Sequence, residues 1–173
     1  MNLSEAQMRK ALSHLAKELT SPVQLIVGGG GAMMLAYHFT LATTDIDGIP
    51  KGIELQVLDR HVKKVAHDLQ ISTDWLNPYF STFTHVLPGD YGQRLVNVFT
   101  EGSLEVLAIS KDDLLIMKCF AARQKDVAHS KALIQAGARV EFVESHIETL
   151  KEKRIPGAEK ALDFLDDVLE QLS

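Results

Sequence analysis

Cysteine and long apolar runs are scarce in this sequence. Cys119 is the only cysteine among 173 residues, which excludes an internal disulfide and a thiolate-rich zinc site. It stands in an apolar run, where a small buried hydrophobic side chain is the expected role. No apolar run approaches the roughly 20 residues that span a bilayer, and the polar residues 1–10 do not resemble a secretory signal peptide. We therefore expect a cytoplasmic protein with no membrane association.

The chain also lacks an excess of positive charge. Its formal net charge is −5, which disfavours generic nucleic-acid binding unless a local basic patch supplies the attraction. Such a bias follows residue 122, with Arg123, Lys125, Lys131 and Arg139. It is typical either of a triphosphate-binding surface or of a solvated helix face. The seven histidines show no metal-ligand spacing.

Length and hydrophobic periodicity indicate a single domain of class α/β (α+β). We predict a small mixed sheet flanked by helices in residues 1–109, followed by a helical C-terminal part in residues 110–173. Residues 72–90 show no regular pattern. The predicted helices of the first part cover 5–19, 32–37 and 53–69, and its predicted strands cover 23–27, 43–49, 93–100 and 103–109.

Four consecutive glycines, Gly28–Gly31, follow the first predicted strand. A P-loop is excluded because no Gly-Lys-Ser/Thr ends the run, and a dinucleotide fingerprint would need a glycine where Met33 stands. Residues 39–44 are not the buried apolar strand that a dinucleotide-binding fold requires next, although Asp47 lies where a ribose-binding acid would fall. A Rossmann-type oxidoreductase is therefore the weaker alternative.

Asp45-Ile46-Asp47 alternates in the manner of a strand. Such a strand points both carboxylates to one face and Ile46 to the other. The repulsion between two neighbouring carboxylates is relieved by protonation or by a cation, and Mg²⁺ suits such a pair when phosphates complete its coordination. A polar turn before Gly48 and Pro50 is the alternative interpretation.

Lys118 is the only polar residue between Leu114 and Ala122. An unpaired buried ammonium is costly, so the sequence predicts a partner acid, a bound phosphate or an escape of the side chain to solvent. Trp75 also has two interpretations: it covers the core, or it stacks on a nucleobase.

In combination, these segments resemble the nucleotidyltransferase superfamily. The resemblance rests on the order strand, Gly28-Gly29, helix and Asp45-Ile46-Asp47, on Trp75-Leu76-Asn77, and on Lys118 followed by Arg123-Gln124-Lys125-Asp126. Within the superfamily, the chain is similar to the small bacterial DUF6036-like group related to toxin components of abortive-infection and toxin–antitoxin systems.

The resemblance implies a Mg²⁺-dependent (or Mn²⁺-dependent) transfer of a nucleoside monophosphate from a nucleoside triphosphate to an acceptor hydroxyl on RNA, protein or a small molecule. A cognate antitoxin is an implied partner. The implied catalytic residues are Asp45, Asp47, Lys118 and Asp126, the nucleotide-binding residues are Gly28, Gly29, Thr44, Lys118 and Arg123, and the metal ligands are Asp45, Asp47 and Glu105. Lys118 and Asp126 lie two helical turns apart, so a bend near Gln124 is needed to bring them together.

Three departures from the family pattern favour an alternative function. Relatives often carry a serine where this chain has Gly29, a basic residue near Leu41, and a second aspartate where this chain has His129. A catalytically inactive module that binds nucleotide or protein is therefore the second hypothesis.

Overall fold

A five-stranded mixed sheet, seven α-helices and two 3-10 helices (Tyr79–Val86 and Tyr91–Arg94) make up the computed structural model of this chain. The structure describes the backbone of residues 1–173 and the side chains of residues 1–78 and 81–173. Two compact units divide the chain. The first comprises Met1–Thr82 and Leu95–Ile109, and the second comprises Phe83–Arg94 and Ser110–Ser173.

The first unit contains the whole sheet and three helices. Its helices are α1 (Glu5–Glu18), α2 (Gly29–Tyr37) and α3 (Leu55–Leu69). Its strands are β1 (Val23–Gly28), β2 (Ile46–Lys51), β3 (Leu76–Asn77), β4 (Val96–Glu101) and β5 (Leu104–Ala108), arranged in the order β3-β2-β1-β5-β4. Strand β1 is antiparallel to β2 and parallel to β5, while β2 is parallel to β3 and β4 is antiparallel to β5. The predicted fold class, a small mixed sheet with flanking helices, is confirmed.

Helix α1 begins where the sequence predicts it. Ser4 forms a capping box with Gln7, which satisfies two backbone N–H groups at the helix start. The apolar stripe that includes Met8, Leu12 and Leu15 is buried. On another face, the Arg9 guanidinium donates hydrogen bonds to the carbonyl oxygens of Val98 on β4, at 2.8 Å, and Leu35 on α2, at 3.1 Å. One arginine thereby links three elements of the first unit.

Strand β2 begins three residues later than the sequence predicts, at Ile46 rather than at residue 43. The preceding residues have other partners: the Leu3 N–H donates to the Thr43 carbonyl oxygen, and the Thr43 hydroxyl donates to the Asp45 carbonyl oxygen. The strand then continues through Pro50, which pairs with Leu25. Because β3 pairs with β2 only at residues 46 and 47, the missing N–H of Pro50 interrupts no ladder on that side.

The second unit is helical. Its α-helices are α4 (Lys111–Ala121), α5 (Gln124–Gln135), α6 (Val140–Glu152) and α7 (Ala158–Leu172). Helix α4 contacts the other three and buries Leu114, Leu115 and Cys119. Burial raises the pKa of the Cys119 thiol to about 12, so the thiol stays protonated and Cys119 serves as a core residue, as predicted. Of the helices in the described part of the chain, none combines the length and the apolar character that a bilayer crossing requires.

Candidate functional site

The two aspartates of Asp45-Ile46-Asp47 flank a residue of the core. Ile46 is fully buried, whereas both aspartates are half-buried, so the predicted alternation is confirmed. Strand β2 places Asp47 level with Gly28 at the end of β1 and with Asn77 on β3. The glycine run and the aspartate pair therefore meet at one end of the sheet.

Gly29 contacts Asp47 closely. A Cβ atom built on Gly29 would lie 2.5 Å from Asp47 Oδ2, and the backbone of Gly29 has a φ of +61°. Both features require glycine, one because of space and the other because side chains disfavour the left-handed region. Gly29 is also the first residue of α2, with Gly28 at the N-cap position. The Asp47 carboxylate consequently lies at a helix N-terminus, where the helix dipole favours negative charge.

The remaining glycines bring α2 close to β2. A Cβ on Gly31 would lie 3.3 Å from the Ile46 Cα, and a Cβ on Gly30 would lie 3.3 Å from the Thr43 hydroxyl. Thr44 is exposed, in a bend just before Asp45. The run thus begins the helix three residues earlier than predicted and packs it against the aspartate-bearing strand.

Asn77 is a site residue that sequence reasoning did not assign a role. Its Nδ2 donates a hydrogen bond to Asp45 Oδ2, and strand β3 sets it beside Asp47. Trp75, two residues earlier, is fully buried and donates from Nε1 to the Val62 carbonyl oxygen at 2.9 Å. Trp75 is therefore a core residue, and the alternative of nucleobase stacking is wrong. In the sequence, the feature that could have indicated this role is the position of the polar Asn77 directly after two apolar residues.

Glu105 does not lie beside the aspartate pair. Strand β1 separates β5 from β2, and Glu105 is level with Gln24, whose Nε2 donates to Glu105 Oε1 at 2.7 Å. Gln24 precedes Gly28 by four residues, or about 13 Å along a strand. The metal-ligand role that the resemblance implies for Glu105 does not fit this placement, because β1 lies between β5 and β2 and the register sets Glu105 level with Gln24 rather than with Gly28.

A second cluster, centred on Asp126, lies in the second unit. Helix α4 ends at Ala121, Ala122 has a φ of 48°, and Arg123 is the N-cap of α5. This break is the bend that the sequence required between Lys118 and Asp126. It brings Lys118 Nζ to 2.9 Å from Asp126 Oδ1, with both residues buried. Arg123 donates from its Nε to Asp126 Oδ2 at 2.9 Å.

Burial and charge set the ionisation of this Asp126 cluster. Burial lowers the pKa of Lys118, and the charge and hydrogen bond of Asp126 offset this only in part. Burial alone would raise the pKa of Asp126, but hydrogen bonds from Arg123 and Lys118 and the Lys118 charge hold it below its usual range. A carboxylate held in this way is a weak proton acceptor. For Lys118 the sequence predicts a partner acid, a bound phosphate or an escape to solvent, and the structure shows the partner acid, Asp126.

Two of the four residues in the local basic bias, Arg123 and Arg139, are paired with carboxylates. Arg139 donates to both oxygens of Asp112, at 2.6 Å from its backbone N–H and 2.8 Å from its Nε, and its guanidinium lies 4.5 Å from the centre of the Phe142 ring. Arg123 contacts Asp126 as described above. These pairs favour a solvated helix face over a triphosphate-binding surface for this segment.

The aspartate pair supplies two carboxylates for a cation. Among the residues with described side chains, no group of three or more His, Cys, Asp or Glu could hold a metal ion. Two carboxylates, of which that of Asp47 lies at a helix N-terminus, fit Mg²⁺, which usually takes one or two protein carboxylates together with phosphate oxygens and water. They do not fit zinc, which prefers nitrogen and sulfur ligands in a closed tetrahedron.

The site lies in a mixed α/β fold, at the end of the sheet where the glycine-initiated helix α2 contacts Asp47. The chain belongs to a family described as nucleotidyltransferases of unknown function (DUF6036), whose model matches residues 6–152. That range contains the whole sheet and ends at the last residue of α6, and it confirms the resemblance drawn from the sequence. Searches of curated proteins and of solved structures found no match to the chain.

Proposed function

We propose that the protein transfers a nucleoside monophosphate from a nucleoside triphosphate to an acceptor hydroxyl, with Mg²⁺ bound at Asp45 and Asp47. The observation that carries this proposal is the contact between Gly29 and the Asp47 carboxylate. It joins the two features of the sequence, the glycine run and the aspartate pair, in one place.

A phosphate at this place needs a cation. The N-terminus of α2 attracts anions through its dipole and backbone N–H groups, but a phosphate there approaches the Asp47 carboxylate. Two like charges about 4 Å apart repel by about 4 kcal/mol at an effective dielectric constant of about 20. A divalent cation between them replaces that repulsion with two attractions. Nucleotide binding at this site is therefore coupled to Mg²⁺.

The residues of the chain have distinct roles in this proposal. Gly28 and Gly29 let phosphate approach the backbone closely, while Asp47 on β2 and Asp45 just before it present oxygen ligands. When bound, Mg²⁺ neutralises charge on the phosphates and on the pyrophosphate leaving group. The acceptor oxygen attacks the α-phosphorus, the bond between the α-phosphorus and the bridging oxygen breaks, pyrophosphate leaves, and the acceptor proton passes to water.

A transfer assay tests the proposal and identifies the class of acceptor. Each nucleoside triphosphate, labelled on its α-phosphate, is incubated with the protein and Mg²⁺ in the presence of RNA, protein or small-molecule fractions of a cell extract. We expect label in one fraction with the wild-type chain and none with Asp45→Asn plus Asp47→Asn. Equal labelling by wild type and the double variant would contradict the proposal.

The second candidate is an inactive module that binds nucleotide and acts by protein association, for example with a cognate antitoxin. The Lys118–Asp126 ion pair favours it. The lysine that would contact phosphate is buried and already neutralised by a carboxylate. Mg²⁺-dependent nucleotide binding without transfer to any fraction would support this candidate over the first.

A further inference from the structure

Asn77 contacts the proposed metal site from the neighbouring strand. Its carboxamide donates a hydrogen bond to Asp45 Oδ2, and its backbone is in register with Asp47. We propose that Asn77 is a positioning residue, which fixes the orientation of the Asp45 carboxylate so that this group can bind a divalent cation together with Asp47.

The segment that carries Asn77 is held firmly in the first unit. The Ile46 N–H donates to the Trp75 carbonyl oxygen at 2.7 Å, and the buried Trp75 indole is hydrogen-bonded to α3 at Val62. Leu76 is buried as well, with 7% of its surface exposed. Asn77 is therefore presented to Asp45 from a short strand that is anchored on both the sheet and a helix.

The chemistry of a carboxamide suits this role. A neutral N–H donor occupies one carboxylate oxygen and leaves the other for a cation, without adding a charge that would repel the metal. Partners that orient a metal ligand through a hydrogen bond typically change metal affinity by about 10-fold to 100-fold when removed.

This inference rests on the proposed function, and its test measures Mn²⁺ binding rather than activity. Free Mn²⁺ is titrated with the whole 173-residue chain and followed by electron paramagnetic resonance. The variants are Asn77→Leu, which keeps the approximate size of the side chain, and Asn77→Ala, which adds no bulk should the leucine fail to fold. Trp75→Phe is the matched structural control, because it removes the indole hydrogen bond to Val62 but keeps an aromatic side chain in the core and the backbone hydrogen bond between Ile46 and Trp75.

We expect both Asn77 variants to bind Mn²⁺ at least about tenfold more weakly than the wild type. We expect Trp75→Phe to lower the melting temperature and to keep wild-type affinity within about threefold. Asn77 variants with wild-type affinity, beside a loss of binding in Asp45→Asn and Asp47→Asn, would overturn the positioning role alone. A wild-type chain that binds no Mn²⁺, or whose binding ignores both aspartates, would overturn the proposed function as well.

Discussion

Replacing Gly29 with alanine tests the contact on which the proposed function depends. The new Cβ would lie 2.5 Å from Asp47 Oδ2, in a residue with a φ of +61°. Gly102→Ala is the matched control in the same unit. Gly102 has a φ of +55°, and the nearest atom to its built Cβ, the Ala16 carbonyl oxygen, is 3.9 Å away. The two substitutions therefore share the backbone cost and differ in the steric contact.

The expected magnitudes follow from these two terms. A left-handed conformation costs a residue with a Cβ about 1–2 kcal/mol, which applies at both positions. At Gly29 the Asp47 carboxylate must also rotate away, and an off-rotamer side chain costs about 1 kcal/mol. We expect Gly29→Ala to destabilise the protein by about 2–3 kcal/mol and Gly102→Ala by about 1–2 kcal/mol. Each kilocalorie lowers the melting temperature of a chain of this size by about 2–4 °C.

Denaturant unfolding and nucleotide titration measure the two consequences. Gly29→Ala displaces an oxygen ligand of the proposed metal, so we expect it to abolish the effect of Mg²⁺ on nucleotide binding, whereas Gly102→Ala keeps this effect. In an Asp47→Ala background the steric term disappears, and Gly29→Ala should then cost no more than Gly102→Ala. The reasoning is refuted if the cost of Gly29→Ala is the same with and without Asp47, or if Gly29→Ala binds the Mg²⁺–nucleotide complex as the wild type does.

Two further predictions concern the Asp126 cluster. Asp126→Ala leaves the buried Lys118 ammonium without its partner, so we expect it to lower the free energy of unfolding by about 3–5 kcal/mol. The double variant Lys118→Met plus Asp126→Leu should recover most of this loss. Equal losses in the single and double variants, measured by unfolding in urea, would contradict this prediction. Burial, with the charge of Lys118, lowers the pKa of His129 from 6.5 to about 4. Between these two pH values the folded state therefore binds fewer protons than the unfolded chain. The free energy of unfolding consequently falls as the pH drops through this window. The contribution of His129 is fully present above pH 6.5 and is on the order of 3 kcal/mol. His129→Gln should flatten the dependence of the unfolding free energy on pH, and an unchanged slope would show that other groups cause it.

Local signals in the sequence were sufficient for much of the fold. The Ser4 capping box, the apolar stripe of α1 and the alternation around Ile46 each depend on neighbouring residues, and each is confirmed. The bend between Lys118 and Asp126 was required by helix geometry, and the structure supplies it at Ala122.

Features that depend on strand order could not be predicted in this way. Glu105 alternates like a strand residue, but its distance from Asp47 is set by the position of β1 between β2 and β5. Asn77 lies in a strand of two residues, too short to show periodicity, and a buried Trp75 fixes its place. The early start of α2 depends on contacts of Gly29 and Gly31 with β2. Such contacts cannot be predicted from a local sequence pattern.

The central claim is that nucleotide binding is coupled to a divalent cation held by Asp45 and Asp47. Calorimetric titration of the wild-type chain with a nucleoside triphosphate analogue that cannot release pyrophosphate, with and without Mg²⁺, measures this coupling directly. We expect Mg²⁺ to tighten binding at least about tenfold, which corresponds to about 1.4 kcal/mol, and we expect Asp45→Asn plus Asp47→Asn to remove that gain. Binding of equal strength with and without Mg²⁺, or a Mg²⁺ effect that survives the loss of both aspartates, would contradict the account.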